Sequence, residues 1–202
     1  MDTRVHIIGN RNSYLNHILY ELRSVDVQTD RLRFRTNLER VGEILAYEIS
    51  RRLAYTDQKV ITPLGEMEIP LLGQQPVLVS ILRAGIPLHQ GFLRMFDKAD
   101  SGFVGAFRKT TRNNEFVVKV EYQAQPDING RDVILLDPMI ATGRSIVLVA
   151  QSMLANGIRP QNLFIAGVVA CDEGVEYVLR NVPSAQVFVA AMDHELTAKS
   201  YI

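Results

Sequence analysis

The segment that most constrains the fold runs from Val133 to Val147. It opens with four apolar residues, with charged residues before them and Asp137 and Pro138 after them. This pattern is typical of a short β-strand that is buried on both faces. Small and hydroxyl residues follow, and apolar residues then recur at helical spacing as far as a helix stop at Asn156-Gly157. The segment is therefore predicted to form a strand, a loop and a helix.

The loop of this segment, residues 141–145, has the features of an anion-binding site. It follows the carboxyl end of the strand and precedes the helix, where backbone N–H groups and the helix dipole favour a negative charge. Thr142 and Ser145 add hydroxyl donors, and Asp137 places a carboxylate where it can meet ribose hydroxyls or a metal ion. The Lys-Ser/Thr pair of the ordinary nucleoside triphosphatase loop is missing. The alternative is a plain turn in which Ser145 caps the helix.

The run from Asp137 to Ser145 closely resembles the 5-phosphoribosyl-1-diphosphate (PRPP) motif of type I phosphoribosyltransferases. Most of that superfamily has a second acidic residue after the aspartate, whereas Pro138 matches the uracil phosphoribosyltransferase version. The resemblance implies a glycosyltransferase of pyrimidine salvage that joins uracil to PRPP and gives UMP and pyrophosphate. It also implies that PRPP contacts the following residues: Asp137, Met139, Ile140, Ala141, Thr142, Gly143, Arg144 and Ser145.

A second apolar run, Val77–Leu82, predicts another buried strand, which the turn Arg83-Ala84-Gly85 follows. Ligands bind at this edge of open α/β sheets, although a simple turn with one exposed arginine explains the residues equally well. In the family that the chain resembles, this loop holds the diphosphate through its amides and its arginine. The resemblance therefore implies catalytic roles for Arg83 and Asp137. Because the superfamily often carries a non-proline cis peptide bond here, we expect one within Arg83–Gly85.

Residues 103–124 are predicted to form a two-stranded arm. Phe103–Phe107 is apolar, a basic tip follows, and apolar and polar residues alternate from Phe116 to Tyr122. A mobile polar hairpin is the plain interpretation of the tip. The arm resembles the hood that closes over the active site of uracil phosphoribosyltransferases, and Arg108 corresponds to an arginine that contacts PRPP there. Closure of the hood would exclude water from a reactive glycosyl cation.

Residues 1–54 are predicted to be helical after a short apolar start at Val5–Ile8. Asn12 or Ser13 can cap a first amphipathic helix and Asp30 can cap a second. The arginines of this region suit a solvated face. Its resemblance to the N-terminal arm of uracil phosphoribosyltransferases instead implies subunit contacts, and hence a homodimer or higher homo-oligomer.

Strands that alternate with helices predict one domain over residues 1–202, an α/β fold with a doubly wound, mainly parallel sheet. This is also the type I phosphoribosyltransferase fold that the resemblance implies. Further elements are predicted as a hairpin at 58–70, strands at Leu163–Ala170 and Val187–Met192, and a helix from Asp172 to Asn181.

The last predicted strand ends at Asp193, so that Arg83, Asp137 and Asp193 are expected to meet at the carboxyl edge of the sheet. The resemblance implies that Asp193 acts on PRPP or on its Mg²⁺. That ion is expected to be bound mainly by substrate oxygens and water. The four histidines show no metal-ligand spacing and are interpreted as structural or surface residues.

The composition narrows the class of protein. Twenty-two basic and 22 acidic residues give a net charge of zero, which argues against a nucleic-acid partner. A single cysteine suits a reducing cytoplasm. The first residues do not have the pattern of a signal peptide, and no apolar run approaches the length of a membrane span.

Two departures from the family pattern leave alternatives open. Arg144 stands where the family has a glycine. An arginine would be strained there if the position requires a positive φ. Tyr201-Ile202 matches the start of the base-binding segment, but the stretch that recognises uracil in the family does not follow. Either the sequence lacks a natural tail, or the protein is a divergent transferase for another base. Further alternatives are a PRPP-sensing regulator, with or without RNA binding, and a structural remnant without a ligand.

Overall fold

The computed structural model describes residues 2–110, 116–155 and 159–194, apart from the side chains of 106–110 and 116–120. The strands are β1 (Val5–Ile7), β2 (Tyr55–Thr62), β3 (Gly65–Leu72), β4 (Val77–Leu82), β5 (Asp100–Thr110), β6 (Phe116–Ala124), β7 (Asp132–Leu136), β8 (Met139–Ile140), β9 (Asn162–Cys171) and β10 (Ala185–Asp193). The α-helices are α1 (Tyr14–Arg23), α2 (Arg31–Ser50), α3 (Gly85–Met95), α4 (Arg144–Met153) and α5 (Asp172–Asn181), and a 3₁₀ turn spans Ile8–Asn10.

The central sheet has the strand order β1-β10-β9-β7-β4-β5-β6, and the short β8 also pairs with β9. Its pairs are parallel except for β5 with β6, which is antiparallel. The crossovers between β4, β5, β7, β9 and β10 are made by helices or by the β5–β6 hairpin. This arrangement confirms the prediction of a mainly parallel α/β sheet, and it places the carboxyl ends of β4, β7 and β10 at one edge.

Helices cover both faces of the sheet and create two hydrophobic clusters. On one face, α1, α2 and α3 pack on inward residues such as Leu78, Ile134 and Phe164. On the other face, α4 and α5 pack on their sequence neighbours, such as Val79 and Leu135. Successive side chains of a strand point to opposite faces, so both sets must be apolar. This double coverage explains why β4 and β7 are continuous apolar runs rather than alternating ones.

The N-terminal helices begin at the predicted caps. The Ser13 hydroxyl accepts a hydrogen bond from the Leu15 amide at 3.3 Å. The Asp30 carboxylate accepts bonds from the Leu32 and Arg33 amides at 3.1 and 3.0 Å. Each cap satisfies amides that have no partner within the helix. The short apolar segment before these helices forms a strand, β1, which pairs with β10 at an edge of the sheet.

The predicted hairpin at 58–70 is longer than expected and forms a two-stranded sheet of its own from β2 and β3. Nearly all of its side chains are exposed. The arm predicted at 103–124 is likewise longer at its start, because β5 begins at Asp100. In the part of the chain that the structure describes, no helix is both long and apolar enough to cross a membrane.

Candidate active site

The carboxyl edge of the sheet brings two of the predicted site segments side by side. Ser80 of β4 lies level with Leu136 of β7, so Asp137 follows one strand and Arg83 follows its immediate neighbour. Neighbouring strands are about 4.8 Å apart. The Arg83 side chain is exposed and Asp137 is half-buried, with its Oδ1 accepting a hydrogen bond from the Met139 amide at 3.4 Å. A guanidinium group and a carboxylate are thus placed on adjacent strand ends.

A short interruption between β7 and β8 shapes the predicted anion loop. The Asp137 amide donates to the Ala166 carbonyl at 3.1 Å, and the Pro138 carbonyl accepts from both Val168 and Val169 of β9. The chain therefore stays bonded to β9 as it leaves the sheet, and β8 continues the pairing. Of the predicted contacts, the Ile140 and Ala141 side chains are buried, so these two residues can offer a ligand only their backbone.

The left-handed position of the loop is Gly143, which has φ 70° and is the N-cap of α4. A side chain here would overlap the Gly174 carbonyl of α5. Because glycine carries no capping side chain, the first amides of α4 have no cap from this residue. Thr142 and Ser145 are half-buried on either side. The loop thus combines uncapped helical amides with two hydroxyl groups, which is the arrangement that binds an anion.

Two expectations for this loop change with the structure. Ser145 does not cap α4, since the helix already begins at Arg144 and the cap is Gly143. The anticipated strain at Arg144 is also absent, because Arg144 is the first helical residue and the positive φ belongs to its neighbour. The Arg144 side chain is exposed. An arginine in place of the family's glycine therefore causes no backbone strain at position 144.

The loop after β4 is fixed by close backbone packing. A side chain at Gly85 would overlap the Ser80 hydroxyl and press on the Leu136 carbonyl, so only glycine allows α3 to start this close to the sheet. Arg83 and Ala84 are exposed in front of that helix. A non-proline cis peptide bond joins Leu82 to Arg83, one bond before the segment in which we expected it. No contact of Arg83 with Asp137 is needed to bring them together, because the strand register already does so.

The third predicted carboxylate, Asp193, meets an unexpected partner. Both of its oxygens accept hydrogen bonds at 2.8 Å from one nitrogen of Arg23, which ends α1. The sequence carries only a weak signal for this contact: Arg23 belongs to the arm that resembles the family pattern, but that pattern predicts a solvated face or a subunit contact rather than a bond to Asp193. The pair connects the helical arm to the sheet edge and holds Asp193 in place.

Two neighbouring contacts were also not predicted. His194 Nδ1 lies 2.7 Å from an Asp172 carboxylate oxygen at the start of α5. In the arm, Arg33 and Asn37 both bond to Glu21, and the hydrogen bond from Asn37, followed by the charge of Arg33, lowers the pKa of that carboxyl group. Arg33 is therefore engaged within the arm, whereas Arg23 reaches the candidate site.

Some predicted site residues cannot be placed. Tyr201 and Ile202 lie outside the described residues, and so does the side chain of Arg108, whose backbone is part of β5. Asn156 and Gly157 also fall outside, although the helix that they were expected to end already stops at Met153.

Comparison with known proteins identifies the family of the chain. A family model described as uracil phosphoribosyltransferase matches residues 10–202. This chain belongs to the uracil phosphoribosyltransferase family. It is therefore a glycosyltransferase-type enzyme, as the PRPP motif implied. The main prediction of family, fold and function is confirmed.

Relatives cover most of the chain. The uracil phosphoribosyltransferase of Porphyromonas gingivalis is 42% identical over 196 residues, which are 96% of this chain and 90% of that protein. The one from Thermococcus sibiricus is 35% identical and covers 94% of this chain and 81% of its own length. A solved Aquifex aeolicus protein superposes with a TM-score of 0.86 at 26% identity, covering 98% of this chain and 91% of that one. A Bacillus anthracis hypoxanthine-guanine phosphoribosyltransferase, with a TM-score of 0.51 at 14% identity over 79% and 78% of the two chains, shares the fold.

Proposed function

We propose that this member of the uracil phosphoribosyltransferase family transfers the phosphoribosyl group of PRPP to N1 of uracil, giving UMP and pyrophosphate. The observation that carries the proposal is the register of β4 and β7, which sets Arg83 beside Asp137 next to the uncapped start of α4. A cation, a carboxylate and an anion-binding loop on one edge match the three charged or hydroxylated parts of PRPP. The base N1 attacks ribose C1 as pyrophosphate leaves.

The loop 141–145 is proposed to hold the 5-phosphate. Its ligands would be the amides at the start of α4 and the half-buried hydroxyls of Thr142 and Ser145. The exposed Arg144 can reach outward to the same phosphate without altering the backbone. Met139, Ile140 and Ala141 would shape the loop through their backbone.

Asp137 is proposed to bind the ribose hydroxyls, which are good donors to a carboxylate. Arg83, together with the amides of Ala84 and Gly85, would bind the diphosphate, and Arg108 would approach from the β5–β6 arm. Developing charge on the leaving diphosphate is best stabilised by donors that are already in position. The strand ends supply that rigidity for Arg83 and Asp137.

Mg²⁺ would neutralise part of the diphosphate charge when PRPP is bound. The described residues contain no group of three acidic, histidine or cysteine side chains able to hold it by themselves. We therefore assign its ligands mainly to substrate oxygens and water. Asp137 and Asp193 are the carboxylates that we place at this edge of the sheet. Arg23 already neutralises Asp193, so this carboxylate would act through water rather than as a primary ligand.

Uracil recognition is proposed to involve Tyr201 and Ile202, as the family resemblance implies. We assign no general base for N1. Catalysis is then attributed to positioning, electrostatic stabilisation and exclusion of water.

The test replaces Asp137 by Asn and follows conversion of radiolabelled uracil to UMP with PRPP and Mg²⁺. Loss of PRPP binding and turnover with an unchanged unfolding curve is expected. The matched control is Asp97→Asn, which replaces an exposed carboxylate after α3 and should keep full activity. Normal turnover of the Asp137 variant would remove the assignment. PRPP binding by the unaltered protein without any UMP formation would favour a sensor or a transferase for another base.

We also propose that two or more copies associate through the β2–β3 hairpin. A free two-stranded hairpin is marginally stable, yet this one exposes Ile61 by 84% and Leu64 by 100%. Light scattering after chromatography should give a mass above that of the 22.7 kDa chain, and Ile61→Asp with Leu64→Asp should lower it. A cytoplasmic location is proposed from the single cysteine, Cys171, which is free and buried.

A further inference from the structure

A cavity of about 480 Å³ lies at the β1 side of the sheet, with β10 and β9 between it and the ends of β7 and β4. It is bounded by β1, by β10 and by the carboxyl end of α2. His6 on β1 pairs in register with Phe188, five residues before Asp193, which corresponds to roughly 17 Å along the strand. The cavity is therefore separate from the site proposed for PRPP. The residues that matter for its chemistry are His6, Arg11, Glu48, Arg51, Arg52 and Phe188.

Positive charge dominates the lining. Arg11 comes from the turn after β1, whereas Arg51 and Arg52 come from the end of α2, so two distant segments bring guanidinium groups to one opening. Glu48 is the opposing carboxylate, and among the described residues its ion pair is with Arg51, at 3.4 Å. Arg11 and Arg52 form no ion pair with any other described residue. The carboxyl end of α2 adds only about half a negative charge, so a surplus of positive charge remains.

The inner wall contains an aromatic stack. The His6 ring stacks on Phe188 with a centroid separation of 4.3 Å and an interplanar angle of 27°. Buried His6 Nε2 has no hydrogen-bond partner among the described residues. Burial, and then the charge of Arg52, lower the pKa of His6. The side chains of His6 and Arg52 both line the cavity. The wall and the arginines therefore face the same space.

We infer that this cavity binds a phosphate-bearing small molecule, with its phosphate held by Arg11 and Arg52 and its remainder against the His6 ring. Guanidinium groups bind phosphate oxygens in pairs, and a phosphate would offset the unpaired charge of the two arginines. The volume lies within the range of small-molecule sites. This site is separate from the one proposed for the transfer reaction, because it lies beside β1 and the Phe188 level of β10 rather than at the ends of β4 and β7.

The test uses inorganic pyrophosphate as the probe and the His6 ring signals of protein labelled with ¹⁵N-histidine as the readout, at constant pH and ionic strength. His6→Gln identifies the signals. We expect a saturable shift of the His6 signals that weakens as salt is added. The double variant Arg11→Gln with Arg52→Gln should bind the probe at least about tenfold more weakly.

Two controls separate this cavity from other anion sites. Arg159→Gln removes an exposed arginine beside a different cavity and should leave the shift unchanged. Asp137→Asn should also leave it unchanged, since the proposed PRPP site lies elsewhere. Arg52→Lys keeps the charge and should weaken binding by a smaller factor, which tests the site even if the double variant is unstable. The inference is overturned if His6 shows no saturable shift, or if the shift persists at equal affinity without Arg11 and Arg52.

Discussion

Replacing Gly143 by Ala would test how the phosphate loop is held open. The residue has φ 70°, where an L side chain costs about 1–2 kcal/mol. Its new Cβ would also overlap the Gly174 carbonyl, which belongs to the backbone of α5 and cannot rotate away. Overpacking of this kind costs typically 1–3 kcal/mol. We therefore expect the free energy of unfolding to fall by roughly 2–5 kcal/mol.

The matched control is Arg144→Gly, one residue further along. Arg144 is exposed and helical, so its removal changes neither the turn nor the contact with α5. A glycine in the first helical turn should cost at most about 1 kcal/mol. The two variants thus change adjacent positions of one loop with very different predicted costs.

Urea unfolding measures the stability, and the KM for PRPP reports the loop. Gly143→Ala should shift the urea midpoint downward and raise the KM, because α4 must move away from α5. Arg144→Gly should change the midpoint little. If Gly143→Ala unfolds at the same urea concentration as the unaltered chain, the assignment of the strained position to residue 143 is incorrect.

Three further predictions concern contacts elsewhere. Arg23→Gln should release Asp193 and raise the KM for PRPP, while lowering the free energy of unfolding by at most about 1 kcal/mol because the Arg23 side chain is 44% exposed. Arg23→Lys should give an intermediate KM. An unchanged KM in both variants would show that the pair does not serve the site. Ser80→Ala removes a buried hydroxyl with no hydrogen-bond partner among the described residues, so the Tm should stay the same or rise, and a clear fall would reveal a missed partner. Burial lowers the pKa of His89 below its ordinary 6.5, so the unfolded chain binds the proton more readily and stability should decline as the pH falls below 6.5. His89→Gln should flatten that decline in urea titrations at several pH values, whereas an equally steep decline in the variant would exclude His89 as its source.

The parts of the fold that the sequence predicted best have a local physical cause. Continuous apolar runs at Val77–Leu82 and Val133–Leu136 indicated strands covered on both faces, and helices do cover both faces. The caps Ser13 and Asp30 were also predicted, because a cap is a contact between residues two or three apart. Strand direction alone predicted that Arg83 and Asp137 lie at the same edge of the sheet, whereas the pairing of β4 with β7 makes them neighbours.

Other features depended on residues far apart in the sequence. The apolar run Val5–Ile7 is too short to predict a strand. It forms one only because the edge of β10 is available for pairing. The ion pair between Arg23 and Asp193 joins positions 170 residues apart. No local sequence pattern around Arg23 predicts so distant a partner. The cavity between β1 and α2 has the same origin, since its arginines meet only after the arm folds back on the sheet.

The phosphate loop shows where this division lies. The sequence by itself determined that Asp137, Thr142, Gly143 and Ser145 stand between a buried strand and a helix, because hydrophobic periodicity and turn chemistry act over a few residues. Only the tertiary structure decided which residue takes the left-handed conformation and which begins the helix. That choice falls on Gly143 because the backbone of α5 packs against it, and this contact leaves Arg144 free to be any residue that a helix accepts.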